Sequence, residues 1–288
     1  MALYPSKVYV NGRIYDAESA KISVFDRGFL FGDGIYEVMV QINGRFFYEQ
    51  AHLKRLAHCL NEIKIDFQME VLEDAIPGLL KAADLLKSDC LLYIQVTRGV
   101  APRTHNYPKN TPASLMMYAI PKVLPEINGL QTSVTTLEDF RWSRCDIKMT
   151  SLLGNVMANE YAAENGCFET LFVRDGIITE ASHCNVFFVK DKVVYTHPAN
   201  AFILDGITRQ IVLQLCGQLK LKVVLEGVPK VSIPQMDEAF LTGTSTQIVS
   251  IKNIDDHHFY EGKKVGNITE LLQKAFLEQK KLHSKESL

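Results

Sequence analysis

Two adjoining stretches in the second half of the chain restrict its fold more than any other feature. ETLFVRDGIITE, Glu169 to Glu180, turns through Asp175-Gly176, and a second apolar pair, NVFFVKDKVVYT, Asn185 to Thr196, follows at once. An Asp-Gly turn between β-rich runs takes positive φ and folds the two runs back on each other antiparallel. Strands delivered as hairpins predict a mixed or antiparallel sheet and argue against a doubly wound parallel one.

The first half carries the same kind of signal. GIYEVMVQINGRFFYEQ, Gly34 to Gln50, places Asn43-Gly44 between two apolar runs. Leu53, Leu56, Leu60 and Ile63 then fall at helical spacing, and Ile76, Leu79, Leu80 and Ala83 repeat it, as core stripes do. Strands are expected near 91–98 and 114–119, and the Pro/Gly-bearing IPKVLPEING, Ile120 to Gly129, reads as a linker. The expected organisation is a small N-terminal α/β domain over 1–121, a linker over 122–129 and a larger domain over 130–288. The larger domain should hold a strand in LQTSVTTLED, helices near 152–165, 208–219 and 268–281, and further strands near 222–226 and in AFLTGTS. The fold class is α/β, of the α+β type with mixed sheets.

At 288 residues the chain is long enough for two cores. Thirty-one Lys and Arg against 33 Asp and Glu, with no long basic run, argue against a nucleic-acid partner. The six cysteines are scattered without a CxxC or a Cys/His metal spacing, which predicts no metal and a reducing compartment. MALYPSKVYVNG lacks the basic and apolar regions of a signal peptide, and no apolar run is long enough to span a bilayer. The expectation is a cytoplasmic protein with no membrane partner.

Five places carry candidate chemistry. The loop VAPRTHNYP, Val100 to Pro108, follows an apolar run and sets Arg103 and His105 between two prolines, a donor pair suited to a carboxylate. Lys148 stands between Ile147 and Met149 at the mouth of a helix, where partial removal from water favours a neutral amine. Glu180 ends a strand among hydroxyl, imidazole and amide groups. DGITRQIV offers Ile207 and Thr208 at a helix N-terminus, and LTGTSTQI offers Gly243 and Thr244 in a small-residue turn, both apt for an anion. Each also has an ordinary reading as a solvated group, a cap or a turn.

RGFLFGDGIYEV, HLKRL, RCDIKMTSLLGN, GCFETLFVRDGIITEASHCNVF, THPANAFILDGITR and MDEAFLTGTSTQI occur in this order over nearly the whole chain. Together they resemble the pyridoxal-phosphate enzymes of fold type IV, which include D-amino acid aminotransferase, branched-chain aminotransferase and aminodeoxychorismate lyase. The resemblance implies a two-domain architecture with pyridoxal 5'-phosphate as cofactor. It implies that Lys148 binds the cofactor covalently and carries the proton, that Glu180 keeps the pyridine nitrogen protonated, and that Leu204 packs on the ring face. It makes Arg55, Ile207, Thr208, Gly243 and Thr244 the phosphate cradle. The Arg-x-His pair resembles the D-amino acid enzymes, so Arg103, His105 and Tyr36 are expected to trap the α-carboxylate of a D-alanine-type substrate, with a 2-oxo acid as acceptor. It further implies a homodimer in which Arg103 and His105 act across the interface. An L-branched-chain aminotransferase, a lyase acting on aminodeoxychorismate and a non-catalytic binding protein are the alternatives. Two departures stand out: Ala181-Ser182-His183-Cys184 where the family is often serine-rich, and Gly243 in a turn usually richer in Ser and Thr.

Overall fold

The computed structural model describes residues 4–260 and 265–285. Two compact units emerge, one of Met1–Leu124 with Ile147–Ser151, the other of Pro125–Asp146 with Leu152–Leu288. Ile147–Ser151, which lies inside the stretch 130–288, thus packs with the first unit.

The first unit is built on β1 (Lys7–Val10), β2 (Arg13–Asp16), α1 (Arg27–Phe31), β3 (Gly34–Ile42), β4 (Arg45–Phe46), α2 (Glu49–Glu62), α3 (Val71–Ala82), β5 (Cys90–Thr97) and β6 (Ser114–Pro121). Its six strands lie in the order β2-β1-β6-β5-β3-β4, every pair antiparallel. Asn43-Gly44 makes the expected turn: Ile42 pairs with Arg45, with φ of 49° and 80° at the two turn residues. Asn11-Gly12 does the same between β1 and β2, a hairpin that the same dipeptide rule would have flagged. Burial alternates along β5 and β6, so one face of the sheet takes Leu92, Ile94, Val96, Leu115 and Met117 into a core with Leu56, Leu60, Ile76 and Leu79 of α2 and α3.

The second unit comprises β7 (Gln131–Glu138), α4 (Leu153–Glu164), β8 (Glu169–Arg174), β9 (Ile177–Ala181), β10 (Asn185–Lys190), β11 (Val193–Tyr195), α5 (Ile207–Gln218), β12 (Val223–Val224), β13 (Glu238–Gly243), β14 (Gln247–Ile254), β15 (His257–His258) and α6 (Asn267–Lys285). The sheet runs β12-β11-β10-β13-β14-β7-β8-β9, with β15 on β14. Among the described residues only β7 with β8, β7 with β14 and β11 with β12 are parallel, so the sheet is mixed as the hairpins required. Asp175-Gly176 closes β8–β9 between Arg174 and Ile177. One face is cored by Val134, Leu171, Val186, Phe188, Leu241 and Ile251. By strand alternation the other face carries Phe187 and Phe240, which pair in register and stack at 4.9 Å.

Candidate active site

Lys148 sits not at the mouth of a helix but in an extended stretch, since α4 begins only at Leu153. That stretch lies along the edge of β3. The Tyr36 N–H donates to the Lys148 carbonyl at 3.0 Å, the Thr150 N–H donates to Gly34, and Ile35 faces Met149 as a bridge. The Lys148 N–H points to Cys59 Sγ at 3.4 Å, a thiol that burial pushes up and keeps neutral. Backbone fixed at three points leaves only the side chain to move. Its Nζ lies 4.1 Å from the centroid of the Tyr36 ring, which begins a stack with Tyr93 and Tyr118 on the sheet face away from α2 and α3. Gly32, at φ +66°, lets this stretch pass, because a Cβ there would come within 2.2 Å of Ser151 Oγ.

Strand alternation puts Glu37 on the core face with Ile35 and Met39, where it is fully buried. A carboxylate there needs partners, and α2 presents two at helical spacing. Arg55 donates through Nε to Oε2 at 2.9 Å and through Nη2 to Oε1 at 2.7 Å, while His52 Nδ1 faces Oε1 at 3.0 Å. Burial alone would raise the Glu37 carboxyl, but Arg55 and His52 overcome it and hold the group well below the usual carboxylate range. Burial holds His52 down. Arg55, expected at the phosphate, is therefore clamped by a carboxylate that the sequence reading did not single out. Glu37 on an apolar face opposite His52 and Arg55 was the available signal.

Arg103 and His105 are exposed and share one platform. The Arg103 guanidinium lies 4.9 Å and the His105 ring 5.7 Å from the centroid of Phe31. Both belong to the first unit, as do Tyr36, Arg55 and Lys148.

The remaining expected residues belong to the second unit. Glu180, near the end of β9, is buried and accepts three bonds: from Arg141 Nη1 at 2.8 Å, from the Leu204 N–H at 3.0 Å and from Asn185 Nδ2 at 3.3 Å. Burial pushes its carboxyl up to about 7, against the pull of Arg141. Arg141 itself is locked by Asp139 on its Nε and Nη2 and lies 3.9 Å over the Phe172 ring. Asn185 Nδ2 also donates to the Leu204 carbonyl at 2.8 Å, so Glu180, Asn185 and Leu204 form one hydrogen-bonded group. Arg141 and Asn185 were missed. Nothing in the local sequence distinguishes Arg141 from a solvated arginine.

Ile207 and Thr208 open the twelve-residue α5, buried, behind Gly206, whose position provides no side-chain cap. A Cβ at Gly206 would come within 2.2 Å of Asn185 Oδ1, so only a glycine lets the backbone before α5 pass this close to the asparagine that serves Glu180. Gly243 ends β13 and Thr244 follows in the turn before β14, both part-buried, and Thr246 in that turn lies 3.3 Å from Cys184 Sγ. The departure at 181–184 has its own anchor. Glu169, fully buried, accepts from the N–H groups of Thr170, Ser182 and His183 and from Ser182 Oγ. Glu169, His183 and Cys184 bring donor atoms within 4.8 Å of one another, but that carboxylate is committed to shaping the turn.

A family model described as Amino-transferase class IV matches residues 34–254, more than half of the chain. The chain belongs to that family. It is 36% identical over 283 residues to a D-alanine aminotransferase of Staphylococcus epidermidis, covering 97% of this chain and 99% of that one. It is 38% identical to a D-alanine aminotransferase of Bacillus licheniformis, with 93% and 95% covered. The fold is that of a branched-chain aminotransferase from Thermoproteus uzoniensis, at a TM-score of 0.85 and 25% identity over 98% of this chain and 97% of that one. This class IV amino-transferase therefore has the fold type expected from its motifs.

Proposed function

We propose that this chain is a pyridoxal-phosphate-dependent transaminase that moves the amino group of D-amino acids, of D-alanine type, to a 2-oxo acid such as 2-oxoglutarate by a ping-pong cycle. The observation that carries the reading is the near full-length likeness to D-alanine aminotransferases, and in this chain Arg103 and His105 stand exposed on one aromatic platform.

The residues fit the cofactor by their own surroundings. An amine on a fixed backbone at Lys148 suits covalent attachment. Glu180, held by three donors, suits a hydrogen bond to a protonated ring nitrogen, with Leu204 fixed beside it. The uncapped start of α5 at Ile207 and Thr208, the turn at Gly243 and Thr244, and the oriented guanidinium of Arg55 suit a phosphate. Pyridoxal phosphate, when bound, supplies an electron sink for the charge left at the substrate Cα. Around it, Arg103, His105 and Tyr36 hold the α-carboxylate, Lys148 takes the Cα proton and returns it, and Glu180 keeps the ring nitrogen protonated.

The reading includes a homodimer. On α4, Leu153, Val156, Met157 and Tyr161 recur at helical spacing and are exposed, whereas Ala158 and Ala162 face inward. In the first unit, Ile22, Val24, Phe25, Phe29 and Val100 are likewise exposed. Large apolar groups out and small ones in are the pattern of a surface that a second copy covers. A cytoplasmic setting accords with six free cysteines, and among the described residues no helix is long and apolar enough to cross a membrane.

The test is turnover of D-alanine and of L-leucine, each with 2-oxoglutarate, by the cofactor-loaded protein. Pyruvate from D-alanine at a higher kcat/KM than L-leucine deamination is the expected result. A preference for L-leucine would reverse the substrate assignment, and neither reaction would defeat the enzyme reading.

A further inference from the structure

The loop that presents Arg103 and His105 is held by an ion cluster that none of the assigned roles uses. Asp33, between α1 and β3, is shared by two buried arginines. Arg98 grips it with Nε to Oδ2 at 2.8 Å and Nη2 to Oδ1 at 2.9 Å, and spends its other donors on the carbonyls of Lys64 and Ile63. Arg27 reaches Oδ2 with Nε at 2.8 Å, and its Nη1 donates to the Thr104 carbonyl at 2.7 Å. Thr104 is the residue between Arg103 and His105. The Arg27 guanidinium also lies 4.6 Å from the centroid of Phe31, the ring on which Arg103 and His105 rest. At the far end of the loop the Arg98 guanidinium lies 3.5 Å over the Tyr107 ring, itself half-exposed. Two guanidiniums share one carboxylate, an arrangement that costs desolvation.

We infer that Arg27 is a positioning residue for the carboxylate trap, with Arg98 and Tyr107 as a second clamp. This rests on the proposed role of Arg103 and His105 and adds the reason their spacing is fixed. Thr104 is pinned through its own backbone, so the flanking side chains leave the loop in a set direction, and Phe31 limits how far each can swing. The fork that binds Asp33 with one edge and Thr104 with the other is a property of arginine. One ammonium cannot reproduce it. The geometry thus couples Asp33, which the sequence places in RGFLFGDG, to substrate affinity without contact with substrate.

The experiment compares cofactor-loaded wild type, Arg27→Ala, Arg103→Ala, the double variant and Tyr107→Ala with D-alanine and 2-oxoglutarate. Arg27→Ala should raise KM for both substrates by about tenfold, a misplaced rather than missing donor, while kcat stays within about threefold. The visible absorbance of the lysine-bound cofactor should be unchanged. Combined with Arg103→Ala it should add nothing beyond about twofold, because both act through one group. Tyr107→Ala, at an exposed ring, should raise KM in the same sense. If Arg27→Ala does not fold, Arg27→Lys and Tyr107→Ala carry the test with the same signature. An unchanged KM in these variants where Arg103→Ala raises it, or effects of Arg27 and Arg103 that multiply, would overturn the positioning role alone. An unchanged KM in Arg103→Ala would remove the carboxylate trap and the role of Arg27 with it.

Discussion

Replacing Glu37 by Gln tests the energetics of the buried ion cluster of Glu37, Arg55 and His52. The substitution keeps the shape and removes the charge. Arg55 loses two charge-assisted bonds, of 2.9 and 2.7 Å, and His52 loses its 3.0 Å partner, all around a fully buried group. An arginine left buried beside an amide is the case in which removing one partner costs about 3–5 kcal/mol. Gln still offers one acceptor oxygen, so the lower end, about 3 kcal/mol, is expected. At about 2–4 °C per kcal/mol for units of this size, the cofactor-free protein should lose about 6–12 °C in Tm at pH 7. Calorimetry or circular dichroism of the cofactor-free protein reads this directly. Glu37 is held low in the folded state, so its contribution is complete above the ordinary carboxyl value of 4.5 and fades as pH falls below it. The wild-type advantage over Glu37→Gln should therefore shrink in acid. A Tm loss of less than about 2 °C at pH 7, or an advantage that grows as pH falls, would refute the reasoning.

The other predictions concern the cofactor site and the assembly. Glu180→Gln should retain cofactor but slow the half-reaction with D-alanine by about 100-fold or more, read by stopped-flow absorbance. Because the Glu180 carboxyl is raised to about 7, the cofactor-free folded state holds more protons than the unfolded one between 4.5 and 7. Wild-type Tm should therefore fall relative to Glu180→Gln as pH rises through that window. Lys148→Ala chains, inactive alone, and Arg103→Ala chains, assayed at a D-alanine level where their raised KM leaves almost no turnover, should recover about a quarter of wild-type activity when refolded together, since about half the dimers are mixed and each has one intact site. No recovery in mixed, loaded dimers would place Arg103 in its own chain's site. Val156→Asp with Met157→Asp should shift the sedimentation of the protein toward a monomer, and an unchanged dimer would clear α4 of the interface.

Local sequence determined the elements because their causes are local. Asn43-Gly44 and Asp175-Gly176 adopt positive φ at little steric cost, so two hairpins and the mixed second sheet were legible, as were α2 and α3 from their apolar spacing. Motifs singled out the candidate residues, but not their partners. Arg141 meets Glu180 across 39 positions, Arg98 meets Asp33 across 65, and Arg27 meets Thr104 across 77. The Lys148 stretch reads as the approach to a helix until the edge of β3 takes its backbone hydrogen bonds. Only the tertiary structure decided these. Which buried charge finds which partner depends on strand order and sheet face, and no spacing rule along the chain encodes a distance set by the sheet that lies between.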